Sequence, residues 1–146
     1  MPKRIVHIDQ DQDILLVIKT CLEECGFVVV SCSTTTKYYA TLKDTPDLII
    51  TELAGVFKPD NKSGWDLLKE RNADCKLREV PVMALTILSR DAHVLRGWQS
   101  GVNCYLTKPL RPEEVVIFVE RIFKSLEDDE GIVPDEPYFD DDDFAM

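Results

Sequence analysis

Carboxylate, amide, hydroxyl and amine side chains follow several short apolar runs of this sequence, at the point where each run ends. These residues are Asp9, Gln10, Glu52, Thr86 and Lys108. Carboxylates can pair with an amine, and two carboxylates can also share a divalent cation that takes oxygen ligands. Either chemistry requires the chain to fold so that the ends of these runs meet.

The spacing of the apolar residues predicts five β/α units. Short apolar runs without alternation indicate buried strands, and each is followed by apolar residues at helical spacing. The predicted strands are residues 5–8, 27–30, 48–51, 80–85 and 104–106, and the predicted helices are 14–25, 35–42, a segment from Trp65, 92–99 and 112–126. An irregular loop covers residues 53–63. Asp11 is the predicted N-cap of the first helix, because its side chain can accept hydrogen bonds from the first turn.

Buried strands that alternate with helices predict an α/β protein with a three-layer, doubly wound (βα)5 parallel sheet. Right-handed crossovers place helices on both faces of such a sheet. Polar residues at the carboxyl ends of its strands converge on one crevice. We therefore expect the five polar residues named above, which follow strands one, three, four and five, to form a single site.

Length and charge indicate one domain, residues 1–126, and an acidic, flexible tail, residues 127–146. The tail holds ten of the 27 acidic residues and none of the 17 basic ones, so the domain is neutral and the tail carries the net charge of -10. This distribution argues against binding to nucleic acid or anionic membranes.

The sequence contains no apolar run of about 20 residues, the length needed to cross a membrane. We therefore expect a cytoplasmic protein. The five cysteines form no Cys-x-x-Cys motif, which argues against a zinc site.

At these residues the sequence resembles the receiver domain of two-component response regulators, over about residues 3–126. Four stretches carry the resemblance: residues 7–11 (HIDQD), 46–52 (PDLIITE), 84–86 (ALT) and 101–109 (GVNCYLTKP). The resemblance implies a flavodoxin-like fold with strand order 2-1-3-4-5. It also implies a phosphoacceptor pocket formed by the five polar residues and a switch aromatic at Tyr105.

The pocket departs from the family pattern at several positions. Glu52 stands where the family has its phosphoacceptor aspartate, and Gln10 replaces the second acidic residue. An extra methylene moves the carboxylate by roughly an angstrom, which disturbs in-line phosphoryl transfer. Ile87 replaces a usually small residue, and the loop after Glu52 is about four residues longer than usual, which predicts a crowded or covered pocket. We expect no enzymatic activity, no cofactor, and at most weak Mg²⁺ binding at Asp9 and Glu52.

Two roles remain open for Glu52. It can pair with Lys108 and accept a hydrogen bond from Thr86, partly imitating the phosphorylated arrangement. Alternatively, Asp9, Glu52 and Lys108 only neutralise one another in a pocket that has lost its function.

Apolar surface on the last helix indicates a protein interface. Five consecutive apolar residues, 115–119, surround the helix, so at least one must face away from the sheet. In receivers, helix four, strand five and helix five commonly carry homodimer or partner contacts. The interface candidates are Trp98, Val116 and Phe118, with core capping as the alternative role of Trp98. Partners would be a histidine kinase, another signalling protein or a second copy.

The acidic tail has two interpretations. It is a solubilising extension or the stub of a linker, or its aromatic residues among carboxylates form a peptide that docks on a basic, apolar groove of a partner or of its own domain.

Together these features favour a stand-alone, atypical receiver (a pseudo-receiver) that acts in signal transduction as a protein-interaction module. One alternative is a receiver still phosphorylated, with Mg²⁺, on an unusual acceptor. A second is a flavodoxin-like binder of a small ligand, although residues 10–12 contain no glycine-rich phosphate loop. The pattern Asp9-Gln10-Asp11 also matches haloacid-dehalogenase-type phosphatases, but the chain is too short for their cap domain.

Overall fold

A computed structural model describes residues 1–128, in which five strands and five helices alternate. The strands are β1 (Arg4–Ile8), β2 (Val28–Cys32), β3 (Leu48–Thr51), β4 (Val82–Thr86) and β5 (Cys104–Thr107). The helices are α1 (Gln12–Glu24), α2 (Thr35–Thr41), α3 (Gly64–Ala73), α4 (Asp91–Gln99) and α5 (Pro112–Asp128). Helix α5 therefore includes the first two residues of the predicted tail, and the rest of the tail lies outside the described residues.

The strands form one parallel sheet in the order β2-β1-β3-β4-β5, which confirms the predicted fold. Apolar side chains of α2, α3 and α4 pack on one face, and those of α1 and α5 pack on the other. Each large aliphatic side chain buried in this way contributes about 1.5–3 kcal/mol. The sheet is covered on both faces, as its uninterrupted apolar strands predict.

Side-chain caps begin three of the helices, at Asp11, Thr34 and Ser63, and only the first of these caps was predicted. Asp11 caps α1, since its Oδ1 accepts hydrogen bonds from the N–H groups of Asp13 (2.9 Å) and Ile14 (3.2 Å). Ser63 caps α3 in a reciprocal capping box with Asp66. The box has aspartate where glutamate or glutamine is usual, so the sequence pattern did not reveal it.

The long loop between β3 and α3 is fastened to α2. Phe57 is fully buried and bridges to Lys62 through a hydrogen bond between backbone groups. The backbone N–H and the hydroxyl of Thr35 both donate to the carbonyl of Lys58, at 2.8 and 3.1 Å. The loop therefore has its own apolar anchor and a fixed position beside the strand ends.

All five cysteines have free thiols, and Cys32 and Cys104 are buried in the core. Burial raises the pKa of the Cys104 thiol to about 12, which keeps it protonated. Within residues 1–128, no helix combines the length and the apolar character that a membrane crossing requires.

His7 makes the domain sensitive to acid. It is completely buried on β1, and burial lowers its pKa from 6.5 to about 3, with the charge of Lys108 adding to the effect. Below pH 6.5 the unfolded chain takes up a proton at His7 that the folded chain refuses. Stability is therefore lost as the pH falls from about 6.5 towards 3.

We expect His7→Leu to remove much of this acid sensitivity. Between pH 6.5 and 4.5 the wild type should lose about 2–3 kcal/mol of unfolding free energy through His7, and the variant should not. Urea unfolding at both pH values measures this difference. Ser31→Ala is the control, because Ser31 pairs with His7 in the sheet and does not titrate. Equal losses in wild type and His7→Leu would contradict the prediction.

Candidate functional site

The two predicted acidic residues and the lysine meet at the carboxyl edge of the sheet. Lys108 Nζ lies 2.7 Å from Asp9 Oδ2 and 3.1 Å from Glu52 Oε1. Asp9 follows β1, Glu52 follows β3 and Lys108 follows β5, so the strand order brings the three residues together. Asp9 and Glu52 are 1% and 3% exposed. The site is therefore a buried cluster in which one ammonium group lies between two carboxylates.

Glu52 is bound by backbone donors as well as by Lys108. Its Oε2 accepts hydrogen bonds from the N–H groups of Leu53 (2.7 Å) and Ala54 (2.8 Å). Its Oε1 accepts a further one from Ile87 N–H at 3.2 Å. Three N–H groups and an ammonium thus converge on one carboxylate, an arrangement that stabilises a buried anion.

Thr86 has a different role from the one expected. Its hydroxyl oxygen accepts a hydrogen bond from Leu88 N–H at 3.1 Å, and Ile87 N–H, rather than the Thr86 hydroxyl, binds Glu52. Thr86 is fully buried. It therefore shapes the turn that aims the Ile87 N–H at the carboxylate.

The charges of the cluster are unequal, and the pKa values reflect this. Burial alone would lower the pKa of Lys108, but its hydrogen bonds and charge interactions with Asp9 and Glu52 raise the pKa above its ordinary value. Burial raises the pKa of Asp9, and the neighbouring charge of Glu52 adds to this effect, against hydrogen bonds from Lys108 and Asp11 N–H that lower it. Lys108 therefore stays charged. Asp9 has fewer hydrogen-bond donors than Glu52 to offset the burial of its carboxylate.

Gln10 holds the loop after β3. Its side-chain amide donates to the carbonyls of Ala54 (3.0 Å) and Val56 (3.3 Å), and the Cβ of any residue replacing Gly55 would lie 3.1 Å from the same amide nitrogen. Gly55 also has a φ of +70°, a conformation that glycine adopts readily. The glutamine thus joins the end of β1 to the loop through neutral hydrogen bonds.

These contacts fit poorly to the Mg²⁺ ion that the receiver resemblance implies. Both Asp9 oxygens and both Glu52 oxygens already accept hydrogen bonds from N–H or ammonium groups, and Gln10 turns a donor towards the loop carbonyls. Within residues 1–128 the structure contains no group of three or more His, Cys, Asp or Glu side chains placed to hold a metal. A cation would have to displace Lys108 or the backbone donors.

Ile87 does not fill the pocket. Its side chain is 62% exposed, and Val56 on the neighbouring loop is 46% exposed. The polar side chains of the pocket are engaged instead by hydrogen bonds, those of Glu52 to Lys108 and backbone N–H groups and those of Gln10 to loop carbonyls. The exposed side chain of Ile87 therefore does not crowd the pocket, contrary to what its bulk had led us to expect.

Tyr105 lies inward, beneath α4. It is 5% exposed, and its hydroxyl donates to the carbonyl of Leu88 at 2.7 Å. Burial, with a smaller contribution from the charge of Glu52, raises its pKa to about 12. The turn that contains Ile87 and Leu88 thus contacts both Glu52 and Tyr105, which links the pocket to the surface of α4.

Gly97 on α4 leaves room for this ring, and Gly97→Ala should displace it. A Cβ at position 97 would lie 2.8 Å from two ring carbons of Tyr105, closer than van der Waals contact allows. We expect the pKa of Tyr105 to fall from about 12 towards 10 as the ring moves outward. NMR titration of ¹³C-labelled tyrosine measures this shift, and Gln99→Ala on the exposed face of α4 is the control. An unchanged pKa in Gly97→Ala would contradict the prediction.

The three interface candidates are half-buried, so they offer less accessible surface than an exposed interface residue would. Trp98 packs partly against the core beneath α4, and Val116 and Phe118 pack partly against the core beneath α5. The exposed large apolar residues of α4 and α5 are instead Leu95 (56%), Ile117 (51%) and Leu126 (57%). The helical periodicity required one outward residue within 115–119, but only the packing of α5 shows which one.

Comparison with known proteins agrees with this fold. Residues 5–120 match the family model described as the response regulator receiver domain. The phosphate regulon transcriptional regulatory protein PhoB of Escherichia coli is 25% identical over 127 residues, which cover 86% of this chain and 54% of that protein. The chain thus spans about half the length of the first curated relatives that it matches.

Two solved structures are similar over most of the chain. A two-component response regulator from Clostridium difficile is 28% identical with a TM-score of 0.73, covering 85% of this chain and 98% of that one. The signal receiver domain of a signal transduction histidine kinase from Syntrophus aciditrophicus is 27% identical with a TM-score of 0.72, covering 92% and 99%. With its βα order and its clustered Asp9, Glu52 and Lys108, the chain belongs to the response regulator receiver domain family of two-component signalling.

Proposed function

We propose that this chain is an atypical receiver whose output is protein binding and whose conventional phosphorylation has been lost. The supporting observation is the binding of the Glu52 carboxylate by Lys108 and three backbone N–H groups. The Glu52 carboxylate thus occupies the ammonium and N–H donors that an incoming phosphoryl group would need. In this proposal the Glu52 side chain takes the place of the phosphoryl group instead of accepting one.

The same contacts favour a constitutive arrangement of the output surface. Glu52 Oε1 binds Ile87 N–H, and the carbonyl of the next residue, Leu88, accepts the hydrogen bond of Tyr105. A carboxylate that holds this turn also holds Tyr105 inward. The surface of α4, β5 and α5 would then remain in one conformation without a phosphoryl group.

The partner is a signalling protein, either a histidine kinase or another component of the pathway, or a second copy bound through α4, β5 and α5. Exposed Leu95 and Ile117 supply apolar contact area on α4 and α5. Burial of such side chains on binding is worth roughly 25 cal/mol per Å² before the costs of association.

A second candidate is a pocket without any switch role, in which the three charges only neutralise one another. Burial of Asp9 and Glu52 beside Lys108 favours it. Loss of one partner alone would leave a buried charge unpaired, so the ion pair can be kept for stability even if it has no function. Glu52→Gln and Glu52→Asp distinguish the two proposals. A switch role predicts altered partner affinity or a shifted Tyr105 signal in both variants, and a neutralising role predicts lost stability with unchanged affinity.

Treatment of the wild type with acetyl phosphate and Mg²⁺, followed by intact mass measurement, tests the loss of phosphorylation. We expect no added phosphoryl group, because the Glu52 oxygens are engaged by four donors and the Mg²⁺ ligands are incomplete. An acyl phosphate formed on Glu52 at a useful rate would overturn the proposal and favour a receiver with an unusual acceptor.

A further inference from the structure

A groove between α3 and α4 has no role in the function proposed above. It is lined by Trp65, Asp66, Lys69, Asn72, Arg96 and Ser100 and has a volume of about 310 Å³. The side-chain amide of Asn72 donates to the carbonyl of Ser100 at 2.7 Å and joins the two helices at one end of the groove. We call this feature the α3–α4 groove.

The groove offers two cations beside an aromatic ring. The Arg96 guanidinium lies 4.1 Å from the centroid of the Trp65 ring. Stacking uses the face of the guanidinium, so its in-plane N–H donors stay available for a carboxylate. Lys69 is exposed, and neither Lys69 nor Arg96 forms a salt bridge with any residue of the described part of the chain.

Among residues 1–128, Asp66 is the only carboxylate that lines the groove, and it is already engaged. Asp66 accepts a hydrogen bond from Ser63 N–H at 2.9 Å in the capping box of α3, and this bond lowers its pKa. The groove therefore has two cations, Lys69 and Arg96, and one anion, Asp66, which is engaged in capping α3. The groove is suited to a peptide that brings further carboxylates and an aromatic side chain.

The chain itself contains such a peptide. Beyond Asp128 lie 18 residues, 129–146, with eight carboxylates and no lysine or arginine. The aromatic residues among them are Tyr138, Phe139 and Phe144. The carboxylates of this segment are complementary in charge to Lys69 and Arg96, and its aromatic rings can pack against the ring of Trp65.

Connectivity allows this segment to reach the groove. Because the helices return antiparallel to the parallel strands, α3, α4 and α5 all end at the sheet edge where the strands begin. The segment must pass one sheet layer and one helix layer, each about 10 Å thick. An extended chain of 18 residues spans about 60 Å, and tethering gives it an effective concentration near the millimolar range.

We propose that residues 129–146 bind in the α3–α4 groove of their own domain, with carboxylates on Lys69 and Arg96 and an aromatic side chain beside Trp65. The segment covers the outer side of α4, the helix that holds Gly97 against Tyr105. The contact is electrostatic in large part and weakens as the salt concentration rises.

Zero-length carbodiimide cross-linking of the whole chain, residues 1–146, tests this proposal. At low protein concentration, we expect Lys69 to form amide bonds with carboxylates of residues 129–146 within one chain. The yield should exceed that at Lys37 and Lys43, which are also exposed but lie on or just after α2, by at least about fivefold. Peptide mass spectrometry of the monomer fraction identifies the linked residues.

Variants of Arg96 provide the matched comparison. Arg96→Glu should reduce the Lys69 cross-link at least about fivefold, and Arg96→Lys should retain most of it. As a second readout, the indole N–H signal of Trp65 in NMR spectra should shift when Tyr138, Phe139 and Phe144 are all replaced by serine. Equal cross-linking of Lys69, Lys37 and Lys43, or cross-links only between two copies, would overturn the proposal.

Discussion

Lys108→Met should lower the unfolding free energy by about 3–5 kcal/mol at pH 7, because it leaves two buried carboxylates without their shared cation. Glu52 would keep three N–H donors, whereas Asp9 would keep only that of Asp11. Asp9 should therefore take up a proton in the variant, and the loss of stability should shrink as the pH falls. Urea unfolding at pH 7 and pH 5 measures both effects.

Two further variants separate the role of charge from that of packing. Lys124→Met removes an exposed lysine from α5 and should change stability by less than about 0.5 kcal/mol. Adding Asp9→Asn and Glu52→Gln to Lys108→Met removes all three charges and should recover much of the lost stability. A cost below about 1 kcal/mol for Lys108→Met alone would show that the cluster is accessible to water and that Glu52 does not depend on Lys108.

The combination of Gln10→Asp with Glu52→Asp should restore phosphorylation. Shortening the side chain at position 52 withdraws the carboxylate from Lys108 and the backbone donors, which leaves them for an incoming phosphoryl group. Aspartate at position 10 adds an oxygen ligand and releases the Ala54 carbonyl from its hydrogen bond. We expect Mg²⁺ affinity to rise about tenfold or more.

The measurement is intact mass after incubation with acetyl phosphate and Mg²⁺. The double variant should carry one phosphoryl group, Glu52→Asp alone should carry less, and the wild type none. Gln10→Asp combined with Glu52→Asn keeps the metal ligand without an acceptor and should stay unmodified. A folded double variant that takes up no phosphoryl group would show that the loop after β3, rather than the two substitutions, blocks the reaction.

Much of the fold follows from local patterns in the sequence. Uninterrupted apolar strands and helical spacing between them are sufficient for a parallel sheet covered on both faces, and right-handed crossovers leave few topologies. Strand ends were less certain: β4 was predicted from Val80 but begins at Val82. Pro81, which has no N–H to donate, lies between them. The strand order itself came from the resemblance and not from periodicity.

The clustering of Asp9, Glu52 and Lys108 was predictable for the same topological reason. Residues that follow parallel strands meet at one sheet edge, whatever conformations their side chains adopt. The N-cap role of Asp11 was also predictable, because it depends on hydrogen bonds within one helical turn.

The hydrogen-bond partners within the site were decided only by the tertiary structure. Whether Thr86 or Ile87 N–H binds Glu52, and whether Gln10 faces a metal or the loop carbonyls, depends on turn geometry between segments distant in sequence. In the same way, α5 could expose any of residues 115–119, and its packing against the sheet left Ile117 outside. Sequence patterns specify which chain segments meet, and the directions of single side chains and N–H groups emerge only when those segments pack together.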